Sequence, residues 1–491
     1  MSLRGLAKDT AVYGSANVVN GVLGTIGLLM LTRALQPEQY GIIALAMTLG
    51  SLIVMWGTLS IPSGIQYYYF QAVDDRERQT TVISSGFAVV SLTVGTFVLV
   101  IAVAFLATGN FGLWQSSVTW LILAYAIAES GSLVFQTLLR NRFLPLRFAI
   151  VAVCRNALAV LIGLTLVYVF DAGVEGFMIG LALGAFTSAI TGWIFNRTEF
   201  VSKPDLQVAV RLLKFSWPLA IAGGSAWLLA SSDLWLLAAF TNDTLVGQYG
   251  TALRVSGVMV LVVSAVSAAW TPTVLKLWHE TGDIGVLLYR FSGAWAGALA
   301  ACVIAAIPPT ALAVRVLVPS EYWEALPLLP ALLLAAGIQG TVSFTVLGLV
   351  LKERTGWIAI AGWVAAVAGV SVALVLIPRL QMWGAAASFV FSQTLLTLLY
   401  WVLSRRAIRL RIPVGLIALQ FATAIGVVLY SCVKMSADPA GSTVPVLVVC
   451  TGGALLVLVF SWRFLRSAVG DRKALTREPS GGVSVSRPPD C

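Results

Sequence analysis

From about Thr10 to Trp462 the chain repeats one pattern, an apolar run of about 20 residues or more followed by a short polar loop. Runs this long and this poor in charge are stable as helices crossing a bilayer. Where no water is at hand, a helix pairs every backbone N–H and C=O within a single segment. Hydrophobic residues make up 59% of the 491 and charged residues 11%, whereas a soluble chain carries about 25% charged residues. The length is therefore taken up by spans, and the fold class is all-α and polytopic. The runs fall at about 10–32, 40–66, 81–107, 115–139, 147–170, 175–195, 213–239, 247–273, 284–307, 325–350, 357–378, 383–404, 412–433 and 444–465. That makes about fourteen transmembrane helices.

The loops give a second reading that does not depend on hydropathy. The net charge of +10 is spread over small basic clusters, with no continuous stripe and no binding motif, which argues against nucleic acid as a partner. One alternate set of loops holds Arg4 and Lys8; Arg76 and Arg78; Arg140, Arg142 and Arg147; Arg197, Lys203, Arg211 and Lys214; Lys276; Lys352 and Arg354; Arg405, Arg406, Arg409 and Arg411; and the tail from Arg466 to Arg487. The other set holds only Arg33, Arg315, Arg379 and Lys434. By the positive-inside rule both termini are cytoplasmic. The first apolar run is long for a signal peptide, contains Asn17 and Asn20, and is followed at once by another span, so it reads as the first helix.

Signs of catalysis are sparse. Cys154, Cys302, Cys432, Cys450 and Cys491 have no metal-binding spacing, and His279 has no partners around it. Asp74-Asp75 stands beside Arg76, Glu77 and Arg78 with no second acidic cluster, so it reads as a solvated turn. The chain has no triad, P-loop or phosphate-cradling glycine run. The stretches between spans reach about twenty residues and leave no room for a soluble catalytic domain. A non-enzymatic protein without cofactor or metal is expected.

Sliding the chain against itself by about 206 residues aligns Leu6-Ala7-Lys8 with Leu212-Leu213-Lys214, Tyr40-Gly41 with Val246-Gly247, and Val174-Glu175-Gly176 with Met382-Trp383-Gly384. The implied organisation is an N-lobe over 1–195 with six spans, a cytoplasmic linker over 196–212, and a C-lobe over 213–411 with six more. Two extra spans follow over 412–467, then a polar cytoplasmic tail over 468–491 whose Gly, Pro and Ser content predicts disorder. An even number of spans per copy relates the lobes by an axis along the membrane normal. Transporters built this way carry substrate between the halves.

Ionisable groups near the bilayer centre cost about 2.5–3.5 kcal/mol each on insertion scales and need a partner or a wet path. Four stand out: Glu129, Arg155, Asp233 and Arg254. Counting along the helices puts Asp233 and Arg254 at similar depth, roughly 12 Å inside the external loop, and relates Glu129 to Arg155 in the same way across the loop at Arg142. Two readings follow. Either each acid neutralises its base in a structural pair, or at least one arginine faces a hydrated cavity and binds an anionic substrate, since a guanidinium stays charged and matches phosphate oxygens bidentately. Arg254, on the second span of its lobe, is the better candidate, with Asp233 as the group that releases it. Asn17 and Asn20 share a helix face and can bond a neighbouring helix or sugar hydroxyls. Tyr67, Tyr68 and Tyr69 fit an interfacial aromatic belt or a sugar-stacking surface.

Several segments carry a family likeness. Leu6-Ala7-Lys8 followed by Thr32-Arg33-Ala34-Leu35-Gln36-Pro37-Glu38-Gln39-Tyr40-Gly41 resembles the opening of bacterial polysaccharide flippases of the Wzx type, where a helix ends in a Thr-Arg-x-Leu-x-Pro-x-x-Tyr-Gly turn. Leu213-Lys214-Phe215-Ser216-Trp217-Pro218, Ser231-Ser232-Asp233, Val246-Gly247-Gln248-Tyr249, Ala269-Trp270-Thr271-Pro272, Pro319-Ser320-Glu321-Tyr322 and Ile377-Pro378-Arg379 extend the likeness to about Arg411. The resemblance implies two six-helix lobes around a V-shaped cleft, a fold shared with lipid II flippases and multidrug and toxin extrusion transporters. It implies as cargo a polyprenyl-diphosphate-linked oligosaccharide, turned over in the inner (plasma) membrane for O-antigen or exopolysaccharide synthesis, with a polysaccharide polymerase or ligase as candidate partner. Arg254 and Arg155 would then meet the diphosphate, Asp233 or Glu129 would take up a coupling proton or sodium ion, and the last two spans would form a groove for the polyprenyl tail or serve as peripheral packing. Cationic residues within the spans are few for so anionic a lipid, which points to a neutral sugar or to a phosphate held near an interface. A cation-coupled drug exporter of the same fold is the alternative. An integral-membrane glycan polymerase or transferase would need a catalytic cluster that the loops do not offer.

Overall fold

A computed structural model describes Ser15 and residues 19–27, 29–72, 75–108, 116–281, 284–352, 354–408, 412–438 and 443–470. Its elements are all helical. They are α1 (Val19–Leu31), α2 (Pro37–Thr58), α3 (Ile61–Gln71), α4 (Arg76–Thr108), α5 (Ser116–Asn141), α6 (Pro145–Phe170), α7 (Gly173–Asn196), α8 (Leu206–Phe240), α9 (Asp243–Ser256), α10 (Val258–Thr281), α11 (Gly285–Leu317), α12 (Leu329–Gly340), α13 (Val342–Thr345), α14 (Leu347–Leu351), α15 (Thr355–Leu380), α16 (Met382–Ala407), α17 (Val414–Ala437) and α18 (Thr443–Gly470), with 3-10 turns at Arg197–Glu199 and Ser320–Leu328. Thirteen helical stretches among the described residues are long and apolar enough to span, and they match the second through fourteenth runs read from the sequence. The first run is described in part, as Ser15 and α1. The tail expected to be disordered is helical as far as Gly470 and otherwise lies outside the described residues.

Three expected spans are not continuous helices; the one expected over 325–350 divides into the 3-10 segment Ser320–Leu328, α12, α13 and α14. Between α2 and α3, Leu59 and Ser60 adopt left-handed backbone (φ 46° and 55°), a conformation costing roughly 1–2 kcal/mol per non-glycine residue. Pro62, at the start of α3, accounts for the restart, since it cannot continue the preceding helix's hydrogen bonding. The Gly57 carbonyl at the break accepts a hydrogen bond of 2.5 Å from Thr93 Oγ1 of α4, which meets the demand for paired backbone at this depth. The eighth expected run likewise divides at Gly257 into α9 and α10.

Small residues set how closely helices approach. On α7, Gly176, Gly180 and Gly184 form a small-xxx-small stripe against α6. A Cβ on Gly180 would lie 2.5 Å from Gly163 Cα, and one on Gly184 would lie 2.5 Å from the Arg155 carbonyl oxygen. That contact fixes the backbone carrying Arg155. At the start of α4, Asp75 Oδ1 accepts the Arg78 N–H at 3.0 Å and caps the helix, giving one member of the acidic pair a structural role. Asp74 lies outside the described residues.

The helix α8 connects the halves. Near its start, Asp205 N–H donates to Ser85 Oγ of α4 at 2.8 Å, and the preceding chain is held by a Thr80–Ser202 hydroxyl contact of 2.6 Å. Just upstream, the buried Glu199 pairs with Arg76 at 2.8 Å and with Arg142 at 3.3 Å. Beyond the internal Pro218, α8 meets α15, where Trp363 Nε1 donates to the Ile221 carbonyl at 3.1 Å.

Candidate functional site between the halves

The four intramembrane charges do not behave as two equivalent pairs. Arg155 of α6 does pair with Glu129 of α5, through Nη1 and Oε1, and its Nη2 donates to Asn156 Oδ1 at 3.3 Å. The Arg155 side chain keeps 27% of its surface exposed, against 8% for Glu129. Glu129 Oε2 is buried without a hydrogen-bond partner among the described residues.

Asp233 and Arg254 do not pair, which corrects the reading from depth alone. Asp233 is buried, at 4% exposure. It accepts a hydrogen bond from the Tyr249 hydroxyl, and its Oδ1 accepts the Leu234 N–H at 2.9 Å. Arg254 is exposed and forms no ion pair among the described residues. Its guanidinium reaches across to the first half, where Nη2 approaches Met47 Sδ of α2 at 3.6 Å. Tyr125 of α5, packed 3.1 Å from where a Cβ on Gly50 of α2 would sit, lies within Coulombic range of Arg254, Arg155 and Glu129. Tyr40 is also within range of Arg254. The sequence reading missed Tyr249 and Tyr125. The first was legible as the aromatic hydroxyl of Gln248-Tyr249, and the second carried no separate signal.

Of the asparagines proposed for sugar, Asn20 lies on α1 with Oδ1 buried and unpartnered, while Asn17 lies outside the described residues. Tyr67 stacks on Phe215 of α8 at 4.5 Å between ring centres and an angle of 13°, so this aromatic group joins α3 to α8 as packing.

A groove of about 640 Å³ runs along the second half, between α12, α16 and α17. Ile338, Phe344, Trp383, Trp401, Phe421 and Leu429 are among its lining residues, and the lining is almost wholly apolar. Of the two extra spans only α17 lines it. The helix α18 packs behind, where Gln420 Nε2 of α17 donates to Ser461 Oγ of α18 at 3.0 Å and to the Gly293 carbonyl of α11 at 3.2 Å.

Comparison with known proteins agrees with this architecture. The family model for polysaccharide biosynthesis proteins matches residues 6–278. A structure of the lipid II flippase MurJ in an inward closed conformation superposes with a TM-score of 0.66 at 14% identity, covering 94% of this chain and all of that one, 100%. An inward-facing multidrug resistance MATE family transporter of the MOP superfamily superposes with a TM-score of 0.63 at 14% identity, covering 79% of this chain and 94% of that one. At these identities the likeness is one of fold. None of the curated proteins matches the sequence.

Proposed function

Because the chain belongs to the polysaccharide biosynthesis protein family, we propose that it turns a polyprenyl-diphosphate-linked oligosaccharide from the cytoplasmic to the outer leaflet of the inner (plasma) membrane by alternating access. The observation that carries this reading is Arg254: an exposed guanidinium with no carboxylate partner among the described residues, projecting from α9 toward the opposite half. An uncompensated cation at this depth is unfavourable unless a hydrated path or an anion meets it. A diphosphate supplies charge and a matching set of oxygens. Arg155, neutralised by Glu129, ties α6 to α5 and leaves the diphosphate to Arg254. The apolar groove walled by α12, α16 and α17 suits an isoprenoid tail, whose burial there leaves the headgroup free to enter between the halves. Glu129, with an unpartnered oxygen, is the better candidate for cation uptake, because Asp233 is held by Tyr249.

The test is export of surface glycan by Arg254→Ala and Arg254→Lys variants at matched protein abundance. Arg254→Ala is expected to abolish export and Arg254→Lys to retain a fraction, since a lysine keeps the charge without the bidentate fork. Full export from a stable Arg254→Ala protein would remove Arg254 from recognition.

A further inference from the structure

The turn Thr32-Arg33-Ala34-Leu35-Gln36-Pro37 between α1 and α2 has no place in the binding scheme above. It also puts an arginine on the face where basic residues are otherwise scarce and topologically disfavoured. Its surroundings explain it. Arg33 Nε donates to the Leu317 carbonyl at 2.9 Å and Nη2 to the Val316 carbonyl at 2.7 Å. These are final carbonyls of α11 in the opposite half, which lack intrahelical partners and carry the negative end of the helix dipole. Two residues on, the Leu35 carbonyl accepts a buried hydrogen bond of 2.8 Å from the Tyr322 hydroxyl. The Tyr322 ring meets Tyr40 of α2 edge-on, with centres 6.0 Å apart. Gln248 Nε2 of α9 donates to the Glu321 carbonyl at 2.7 Å, tying the same 3-10 segment to α9. Below these bonds the starts of α2 and α9 touch backbone to backbone, so that a Cβ on Gly247 would fall 1.8 Å from the Pro37 carbonyl oxygen.

We infer that the Arg33 turn, Tyr322 and the Gly41–Gly247 contact form an external latch that holds the two halves together on the side facing away from the cytoplasm, and that this latch must open for cargo to leave. The latch rests on the transport reading for its purpose but not for its existence. The contacts of Arg33 and Tyr322 join one half to the other, and each of them uses a backbone carbonyl. They can therefore be broken and remade without stranding a charged partner in lipid. Arg33, being exposed, returns to water when released.

The experiment uses the full-length chain in intact cells, with its cysteines replaced and one cysteine introduced by Ser51→Cys, on the stretch of α2 facing Trp227 of α8. A membrane-impermeant thiol reagent is added from outside. Arg33→Ala and Tyr322→Phe are expected to raise the labelling rate roughly tenfold, as befits loss of hydrogen bonds on one side of a two-state equilibrium. Unchanged labelling in both variants at normal abundance would overturn the latch. A second arm joins exposed Gln36→Cys and Glu321→Cys with a short cleavable bifunctional thiol reagent. Bridging is expected to arrest glycan export and cleavage of the bridge to restore it, and export at full rate by bridged protein would overturn the proposal. Labelling reads the latch whatever the cargo, so a failure of the flippase reading would leave the first result standing.

Discussion

Arg155 and Arg254 are both guanidinium groups sunk in an apolar bundle, and their surroundings differ in one respect. On the first half, α5 supplies Glu129 to Arg155 from the adjoining helix. On the second half, Asp233 is engaged by Tyr249, and Arg254 meets, among the described residues, a thioether from the other half. The same side chain is therefore a local cross-link in one half and an unneutralised charge between the halves in the other. Placement of the acid decides which, and the difference separates holding a fold together from meeting a ligand.

The comparison can be broken most sharply by giving Arg254 the partner it lacks. Met47→Glu would place a carboxylate against the guanidinium and convert the second half to the first half's arrangement. Export is expected to fall about tenfold or more relative to Met47→Gln at equal abundance. Export at the level of the Met47→Gln control would mean that neutralising Arg254 is harmless. Next in size is Arg155→Ala, which strands Glu129. Breaking a sealed pair costs about 3–5 kcal/mol, and because Arg155 reaches water the loss here is expected nearer 2 kcal/mol. Thermal unfolding of the detergent-solubilised protein reads it, and Glu129→Gln combined with Arg155→Gln should recover most of the loss. A stable but export-deficient Arg155→Ala would place both arginines at the ligand and erase the distinction. The smallest effect is that of Tyr249→Phe, which removes the hydroxyl from the buried Asp233 at a cost of about 1–3 kcal/mol. Stability is expected to drop while the gradient dependence of export stays as in the parent, and a changed gradient dependence would make Asp233 a coupling group.

Most spans are legible because lipid leaves the backbone one solution and hydropathy marks where it is used. The placement of loops follows for the same reason. The division of the second expected span at Leu59 and Ser60 is hidden, because a leucine in left-handed backbone has no compositional mark; only Pro62 hints at it. The site was half legible. Counting residues gives depth along a helix, and on that basis Glu129 and Arg155 were matched correctly. Counting does not by itself say which way a side chain turns. Tyr249 and Arg254 are five positions apart, which is roughly 140° around a helix, so one face of α9 serves Asp233 while another presents Arg254 to α2. The groove was anticipated at the last two spans, but α18 contributes none of its lining, since the Gln420–Ser461 bond turns that helix toward α11 and α17.

The helix α8 is pinned near its start to α4 and, beyond Pro218, to α15. A rod fastened at separate points to two different bodies behaves as a strut. It tolerates tilt of one body against the other and resists their sliding past each other along the membrane normal, so the freedom left to this molecule is angular.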